Sequence, residues 1–305
     1  MTVATQSFPS GSERKLGLFY VLMAGGLWST VSLGVRLIEE AVVWQILLYR
    51  SVSLSLFLYL FIRLRTGESP LVQLRRTGWP ALIAGLALVV AYAGGIFAIQ
   101  STTVANAMLL FATAPFMAAA LGWIVLREKV RLATWIALLA AIGGVAVMIA
   151  GEVDGGAMLG NVAALGSAFG FAVFTVALRW GRSVEMLPAV FLSGLLGAVI
   201  MGIICLAAGL PLVLSVQDGG IAVGMGVFQV GAGLILYTLG SRSLPAAELT
   251  LLSMAEVVLG PLWVWIFLGE MAALNTLLGG AILLAAIAGN AISGMRRQPP
   301  PLTSP

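Results

Sequence analysis

The 305-residue chain contains no histidine and only one cysteine, Cys205. The absence of histidine removes the commonest transition-metal ligand and the commonest proton shuttle near neutral pH. A single cysteine excludes a disulfide within the chain, and the acidic residues are scattered along it rather than clustered. We therefore expect no metal, no cofactor and no enzymatic activity.

Charged residues make up only 9% of the chain, whereas a soluble domain carries about 25%. Hydrophobic residues make up 60%, and the mean hydropathy is +1.07. So many long apolar runs exclude a soluble core. In such a chain the basic residues report the orientation of loops rather than nucleic-acid binding. We predict an all-α membrane protein that is embedded in a lipid bilayer and binds no nucleic acid.

Ten apolar segments follow a short polar N-terminus. Each is about 20 residues long, which is enough to cross a hydrocarbon core of ~30 Å at ~1.5 Å per helical residue. Residues 1–14 and the proline-rich residues 296–305 are predicted to be disordered tails. The segments span residues 16–37, 41–62, 79–99, 103–125, 132–150, 158–180, 188–209, 219–240, 245–268 and 273–294.

The basic residues are distributed unevenly between alternate loops. All of them except Arg36 and Arg50 lie near the two termini and in one set of alternate loops. The opposite set carries acidic residues instead, among them Asp218 and Glu270. Because cytoplasmic loops are enriched in lysine and arginine, we expect both termini to be cytoplasmic. That arrangement requires an even number of crossings, and ten crossings agree with it.

The two halves of the chain are similar in sequence. A shift of 142 residues aligns residues 109–128 with residues 251–270, with a shared tryptophan and a shared glutamate near the end. The halves, residues 15–152 and residues 153–295, then hold five segments each, and an odd number inverts the second half in the membrane. Inverted repeats are typical of secondary transporters, which bind their substrate near the midplane between the halves.

Segments four and nine end in the motifs APFMAAALGWIVLREKV and AEVVLGPLWVWIFLGEM, and segment ten begins with LGGAILLAAIAG. In these motifs the chain resembles the drug/metabolite transporter (DMT) superfamily in its EamA-type, ten-helix form. The opening motif GGLWSTVSLGVR, at residues 25–36, resembles the aromatic amino acid exporter branch called YddG. The resemblance implies two inverted five-helix repeats around a central cavity that is lined by segments 1, 3, 4, 6, 8 and 9.

The resemblance also implies a function. It points to a secondary transporter of the bacterial inner (plasma) membrane that exports amino acids, above all aromatic ones, and related small metabolites. Such a transporter would work as a monomer, by alternating access through the central cavity. The alternative is a proton-coupled exporter of drugs or organic cations, in which Glu256 carries the proton. The chain departs from the family pattern at Val257, which follows Glu256 where a proline is usual, and the proline is displaced to Pro261.

Two ionisable residues lie inside apolar segments, where a charge costs at least ~2.5–3.5 kcal/mol and normally faces the protein interior or a water-filled path. Glu256 lies near the middle of the run 245–270. It is predicted to bind a substrate ammonium group or a coupling proton, or to be a structural acid. Arg50, in segment two, is predicted to recognise a carboxylate through its planar guanidinium, to pair with Glu256, or to bond to backbone carbonyls.

The prolines and aromatic residues at membrane depth supply further candidates. Pro115 and Pro261 lie inside segments four and nine, where each removes a helical hydrogen bond and kinks or interrupts the helix. We predict a role for both in gating, and the alternative is that they bend the helices for packing only. Trp28, Tyr92 and Trp263 are the aromatic side chains best placed to stack on a solute, although most aromatic residues in membrane proteins serve packing or interface anchoring.

Small and uncharged polar residues complete the predicted binding site. Thr113 and Gln229 are candidates to line the substrate path, and the alternative is that they bond to neighbouring helices. Gly170 is a candidate to widen a cavity. Because Gly166 lies four residues earlier, the alternative for Gly170 is close packing of two helices.

Overall fold

The computed structural model describes residues 11–127, 130–150, 155–180, 187–241 and 255–295. Within these ranges the chain forms helices and no β-strand, which confirms the all-α prediction. Residues 1–10 and 296–305, which make up most of the predicted tails, lie outside the described residues, as does the first part of segment nine, residues 245–254. Residues 11–14, predicted as part of the first tail, form the first turn of a helix.

Nine stretches of the described residues are long and apolar enough to cross a membrane. A shorter apolar helix, α12, forms the described part of segment nine. The helices are α1 (Gly11–Arg36), α2 (Val43–Thr66), α3 (Pro70–Thr77), α4 (Trp79–Ser101), α5 (Val104–Phe111), α6 (Ala114–Leu126), α7 (Leu132–Ile149), α8 (Gly155–Trp180), α9 (Leu187–Ala207), α10 (Val216–Gly224), a π-helical segment (Met225–Ala232), α11 (Gly233–Ser241), α12 (Ala255–Leu268) and α13 (Leu274–Met295).

Segment four is interrupted rather than continuous. It consists of α5 and α6, with a turn at Ala112 and Thr113 between them. Pro115 lies in the first turn of α6, where the missing N–H of a proline costs little. The Thr113 hydroxyl donates to the C=O of Leu110 at 2.6 Å, which gives a partner to one of the carbonyls at the end of α5. Pro261, by contrast, lies inside α12, which continues past it to Leu268.

Segment eight changes its helical geometry without breaking. The chain passes from α10 through the π-helical segment Met225–Ala232 into α11. Turns of π-helix are rare and often lie at functional sites. Gln229, one of the predicted site residues, lies in this segment.

The short helix α3 does not belong to the ten predicted segments. Ser69 caps its N-terminus, because the Ser69 Oγ accepts the N–H of Leu71 at 3.4 Å, and Pro70 occupies the first turn. The side chain of Arg76 pairs with Glu68 at 3.0 Å, and both are exposed. Eight residues are too few to cross a bilayer, so α3 connects two membrane-crossing helices.

The helices of the two halves interleave. α4 packs on α8, α2 on α9, α7 on α13, and α1 on both α11 and α12. Each of these pairs joins one helix of the first half to one helix of the second. Exchanging the halves turns the α4–α8 contact into the α1–α11 contact, and the α1–α12 contact into the α6–α8 contact, both of which are present. This exchange symmetry is what two structural repeats produce, and it confirms the two-repeat prediction.

The second half runs through the bundle in the opposite direction to the first. Arg36 is the last residue of α1, and its Nη2 donates to the C=O of Thr102 at 2.9 Å. Gly160, near the start of α8, lies against the same Thr102. Since α1 and α8 begin the two halves, α8 starts at the end of the bundle where α1 finishes.

Glycines allow several helices to approach backbone to backbone. A Cβ on Gly144 would lie 2.7 Å from the carbonyl oxygen of Gly279, so α7 and α13 are in close contact there. A Cβ on Gly94 of α4 would lie 2.7 Å from the carbonyl oxygen of Ala163 in α8. Helices in lipid associate through such small residues, because large apolar side chains gain little by leaving the lipid tails.

Polar contacts hold one end of the bundle together. We call this the closed end and define it by Arg36, Thr102, Asp218 and Glu270. The Arg36 Nε and the Glu270 Oε2 are 2.9 Å apart, and the Glu270 Oε1 accepts the N–H of Val104 at 2.7 Å. The closed end therefore ties α1 to the loop before α5 and to the residues that follow α12.

Asp218 fixes the loop between α1 and α2 at the closed end. Its carboxylate accepts the backbone N–H groups of Glu39, Glu40 and Ala41 at 3.1, 3.0 and 2.9 Å. Asp218 is only 1% exposed. The three N–H donors compensate the charge of the buried carboxylate, and the carboxylate gives each of these donors a hydrogen-bond partner.

We predict that Asp218→Ala destabilises the protein by about 2–4 kcal/mol, because it leaves the buried N–H of Ala41 and two partly buried N–H groups without a partner. In detergent, the melting temperature followed by tryptophan fluorescence should fall by more than ~5 °C. The control is Glu68→Ala, which removes an exposed ion pair worth about 0–1 kcal/mol. Equal melting temperatures for the two variants would contradict the assigned role of Asp218.

Candidate functional site

A cavity of about 440 Å³ lies between the two halves of the described bundle. Its wall comes from both repeats, and most of the lining side chains are apolar or aromatic. The lining residues are Trp28, Val31, Arg50, Leu88, Ala91, Tyr92, Gly95, Ile96, Ile99, Met108, Phe111, Ala112, Ala114, Pro115, Ala118, Ser167, Ala168, Phe171, Phe174, Thr175, Val190, Gln229, Val230, Leu234, Tyr237, Glu256 and Val257.

The wall includes more segments than the family resemblance implied. Segments 1, 3, 4, 6, 8 and 9 all contribute, as expected, and Arg50 of segment two and Val190 of segment seven are added. Along the bundle the lining extends from Ile99 and Met108, near the closed end, to Val190 and Tyr237, near the opposite helix ends. At one of its two ends the cavity therefore lies next to the contacts of the closed end.

Arg50 projects into this cavity from α2. The residue is 5% exposed, and its guanidinium carbon lies 4.6 Å from the centroid of the Tyr92 ring. The buried Nε of Arg50 has no hydrogen-bond partner among the described residues. The predicted alternative of a pair with Glu256 is not observed, because within the described chain no ion pair of Arg50 is present. A guanidinium stacked on a ring keeps its in-plane N–H groups available for a carboxylate.

Glu256 reaches the cavity from the described start of α12. It is half-buried, and Tyr237 lies within electrostatic range of its carboxylate. Among the described residues Glu256 forms no ion pair. The Tyr237 ring in turn lies against Trp28, with 5.3 Å between the ring centroids. The acid is thus set beside two aromatic rings on the side of the cavity formed by α1 and α11.

Gln229 is held in one orientation by the backbone of α1. Its Nε2 donates to the C=O of Trp28 at 3.4 Å, so the Oε1 is the amide atom that takes no part in this bond. That Oε1 is buried and has no hydrogen-bond partner in the described structure. Gly233, one turn further on, makes room for the indole of Trp28. Gln229, Gly233 and Tyr237 lie four residues apart and therefore share the helix face that meets α1.

The structure brings six of the predicted site residues together at the cavity. They are Trp28, Arg50, Tyr92, Pro115, Gln229 and Glu256.

The structure places the remaining candidates elsewhere. Thr113 lies in the turn between α5 and α6, and Trp263 donates from Nε1 to the Ser29 Oγ at 2.9 Å. Gly170 faces α4, where an added Cβ would lie 2.8 Å from the carbonyl oxygen of Ala87. These three residues are not part of the cavity wall. Trp263 and Gly170 contact neighbouring helices, and Thr113 bonds within its own segment.

Several aromatic wall residues were not predicted, namely Phe111, Phe174 and Tyr237. Apolar membrane helices carry many aromatic residues, so composition alone does not single these out. Tyr237 had one usable signal, since it lies eight residues after Gln229 and so falls on the same helix face.

The chain belongs to the EamA-like transporter family, whose sequence profile matches residues 15–150 and again residues 158–292. Each match corresponds to one structural repeat. The protein is therefore a multi-pass membrane transporter of the EamA type, and family membership implies a small-molecule substrate.

Curated relatives are named transporters, and a solved structure shares the fold. An uncharacterized transporter of Methanothermobacter thermautotrophicus is 26% identical over 73% of this chain and 67% of its own. The uncharacterized transporter YwfM of Bacillus subtilis is 24% identical over 71% of this chain and 74% of its own. An uncharacterized transporter of Archaeoglobus fulgidus is 29% identical over 74% of this chain and 83% of its own. A solved crystal structure shares the fold with a TM-score of 0.64 at 20% identity, over 92% of this chain and 98% of that one.

We predict that Gly170→Leu destabilises the protein by about 1–3 kcal/mol, because the new side chain would force α8 away from α4. The matched control is Gly166→Leu, one turn earlier on α8, since a Cβ at Gly166 meets nothing within 4 Å. Melting temperatures of the two purified variants provide the measurement. A stable Gly170→Leu protein with impaired transport would instead show that Gly170 shapes the substrate path.

Proposed function

We propose that the protein exports amino acids, above all aromatic ones, and related small metabolites by alternating access through the central cavity. The observation that carries this proposal is the cavity itself, which lies between the two repeats and combines an aromatic wall with a few polar groups. Its volume of about 440 Å³ falls within the ~300–1,000 Å³ range of small-molecule sites. The proposed location is the bacterial inner membrane, with both termini cytoplasmic and the monomer as the working unit.

Alternating access requires that the closed end opens while the opposite end closes. The contacts that would have to part are polar: the Arg36–Glu270 pair and the N–H of Val104 on Glu270. Such partly exposed contacts exchange with water at modest cost. The interruption before Pro115 and the π-helical segment around Gln229 provide places where segments four and eight would bend.

The second candidate function is a proton-coupled exporter of drugs or organic cations. The observation that favours it is the half-buried carboxylate of Glu256, which lines the cavity without an ion pair to any described residue. When Glu256 is protonated it is neutral, and the cavity needs no bound cation. When Glu256 loses its proton, its negative charge favours binding of a cation that stacks on the Trp28 and Tyr237 rings. The two candidates differ in whether a pH gradient drives transport.

The first test is flux in liposomes that contain the purified protein, with labelled phenylalanine, tryptophan and a non-aromatic amino acid such as serine. We expect aromatic amino acids to move down their own concentration gradient at a rate that a pH gradient does not change. Protein-free liposomes are the control. Accumulation driven by the pH gradient would favour the proton-coupled exporter, and a complete lack of amino acid movement would refute the proposed substrate class.

The second test is Glu256→Gln. Loss of a charged hydrogen-bonding partner for the substrate corresponds to about 1.5–3 kcal/mol, so we expect the flux per folded protein to fall by about tenfold or more. Expression and melting temperature should stay near those of the unmodified protein. Glu68→Gln, at an exposed carboxylate far from the cavity wall, should transport normally. A variant that fails to fold would assign Glu256 a structural role instead.

A further inference from the structure

We infer that the cavity recognises both charged groups of an α-amino acid, with Arg50 holding the carboxylate and Gln229 together with Glu256 holding the ammonium group. This inference rests on the proposed function and specifies how that site selects its substrate. Its basis is a set of buried polar atoms that line the same cavity and lack partners in the described structure.

Arg50 provides the anion-binding half. It is a permanent cation that is 5% exposed, and a buried charge is strongly unfavourable unless an opposite charge or hydrogen bonds compensate it. Tyr92 covers one face of the guanidinium at 4.6 Å, and no acid among the described residues forms an ion pair with it. The Nε in particular has no acceptor among the described residues. A carboxylate matches the donor fork of a guanidinium geometrically and neutralises its charge.

Gln229 and Glu256 provide the cation-binding half. Gln229 is 6% exposed, and its amide is oriented by the bond from Nε2 to the carbonyl of Trp28, which leaves the Oε1 as a buried acceptor without a donor. Buried acceptors without a donor are rare in native structures, so each one needs an explanation, such as a bound ligand. The Glu256 carboxylate adds an anionic acceptor to the same cavity. An ammonium group supplies three N–H donors and the charge that Glu256 requires.

The presence of an anion-binding group and a cation-binding group in the same cavity determines the substrate class. A simple organic cation would meet Glu256 favourably but would share the cavity with the uncompensated charge of Arg50. A simple carboxylic acid would meet Arg50 favourably but would face Glu256. Only a ligand with one anionic and one cationic group compensates both Arg50 and Glu256. Ligands with a single charge are disfavoured because one of these two residues repels them. The rings of Trp28 and Tyr237 remain to contact the ligand side chain.

The test compares binding of L-phenylalanine with two matched analogues, phenethylamine without the carboxylate and 3-phenylpropionate without the ammonium group. Binding to the purified protein is followed by displacement of labelled phenylalanine. We expect each analogue to bind about 10- to 100-fold more weakly, the loss typical of one charged hydrogen-bonded contact. This comparison uses the unmodified protein, so it does not depend on the folding of a variant.

Variants then assign each half to its residue. Arg50→Gln should weaken phenylalanine binding and abolish the difference between phenylalanine and phenethylamine, while Arg50→Lys should keep part of that difference. Gln229→Leu should reduce the difference between phenylalanine and 3-phenylpropionate and leave the other difference intact. A merely structural role would lower all three affinities together and would contradict the assignment.

The outcomes separate this inference from the proposed function. If phenylalanine binds and is transported but phenethylamine binds equally well, the two-ended recognition is wrong and amino acid transport stands. If the unmodified protein neither binds nor transports any amino acid, both the proposed function and the inference fail.

Discussion

A charge inside a membrane-crossing helix must face something other than lipid, and this constraint governs the arrangement of the bundle. Arg50 on α2 and Glu256 on α12 come from different repeats, and both line the cavity between them. Because the described structure gives neither residue an ion-pair partner, the cavity has to remain accessible to water or to a polar ligand. The proposed site therefore lies where the two halves meet, and in the proposed mechanism a movement of one half against the other changes access to it.

The contacts that surround the cavity differ in how easily they can break. Close backbone packing, such as that of Gly144 against Gly279, brings α7 against α13, and the Thr134 hydroxyl also donates to the Asn290 Oδ1 between the same two helices at 2.9 Å. The closed end depends mainly on polar contacts, of which the partly exposed Arg36–Glu270 pair is the clearest. In the proposed alternating access, the polar contacts at the closed end would separate, while close glycine contacts such as that of Gly94 with α8 would keep the helix pairs together.

The sequence predicted the architecture well, because each membrane-crossing segment is a long apolar run and the repeat is visible as a fixed shift. The candidate site residues stay predictions, and the structure shows only where they lie. Arg50 and Glu256, which the sequence singles out as charges in apolar segments, line the cavity. Thr113, Gly170 and Trp263 do not line it, and a helix that is apolar on every face gives no periodic signal for the side that faces the interior. The interruption after Phe111 was marked in the sequence by Pro115, whereas the π-helical segment Met225–Ala232 contains no proline that could have indicated it.

The most direct test of this account is an experimental structure of the protein with L-phenylalanine bound. We expect the ligand in the central cavity, with its carboxylate about 3 Å from the Arg50 guanidinium and its ammonium group about 3 Å from the Gln229 Oε1 or the Glu256 carboxylate. The aromatic ring of the ligand should lie against Trp28 or Tyr237. A direct ion pair between Arg50 and Glu256, with the ligand bound outside the cavity, would contradict the account.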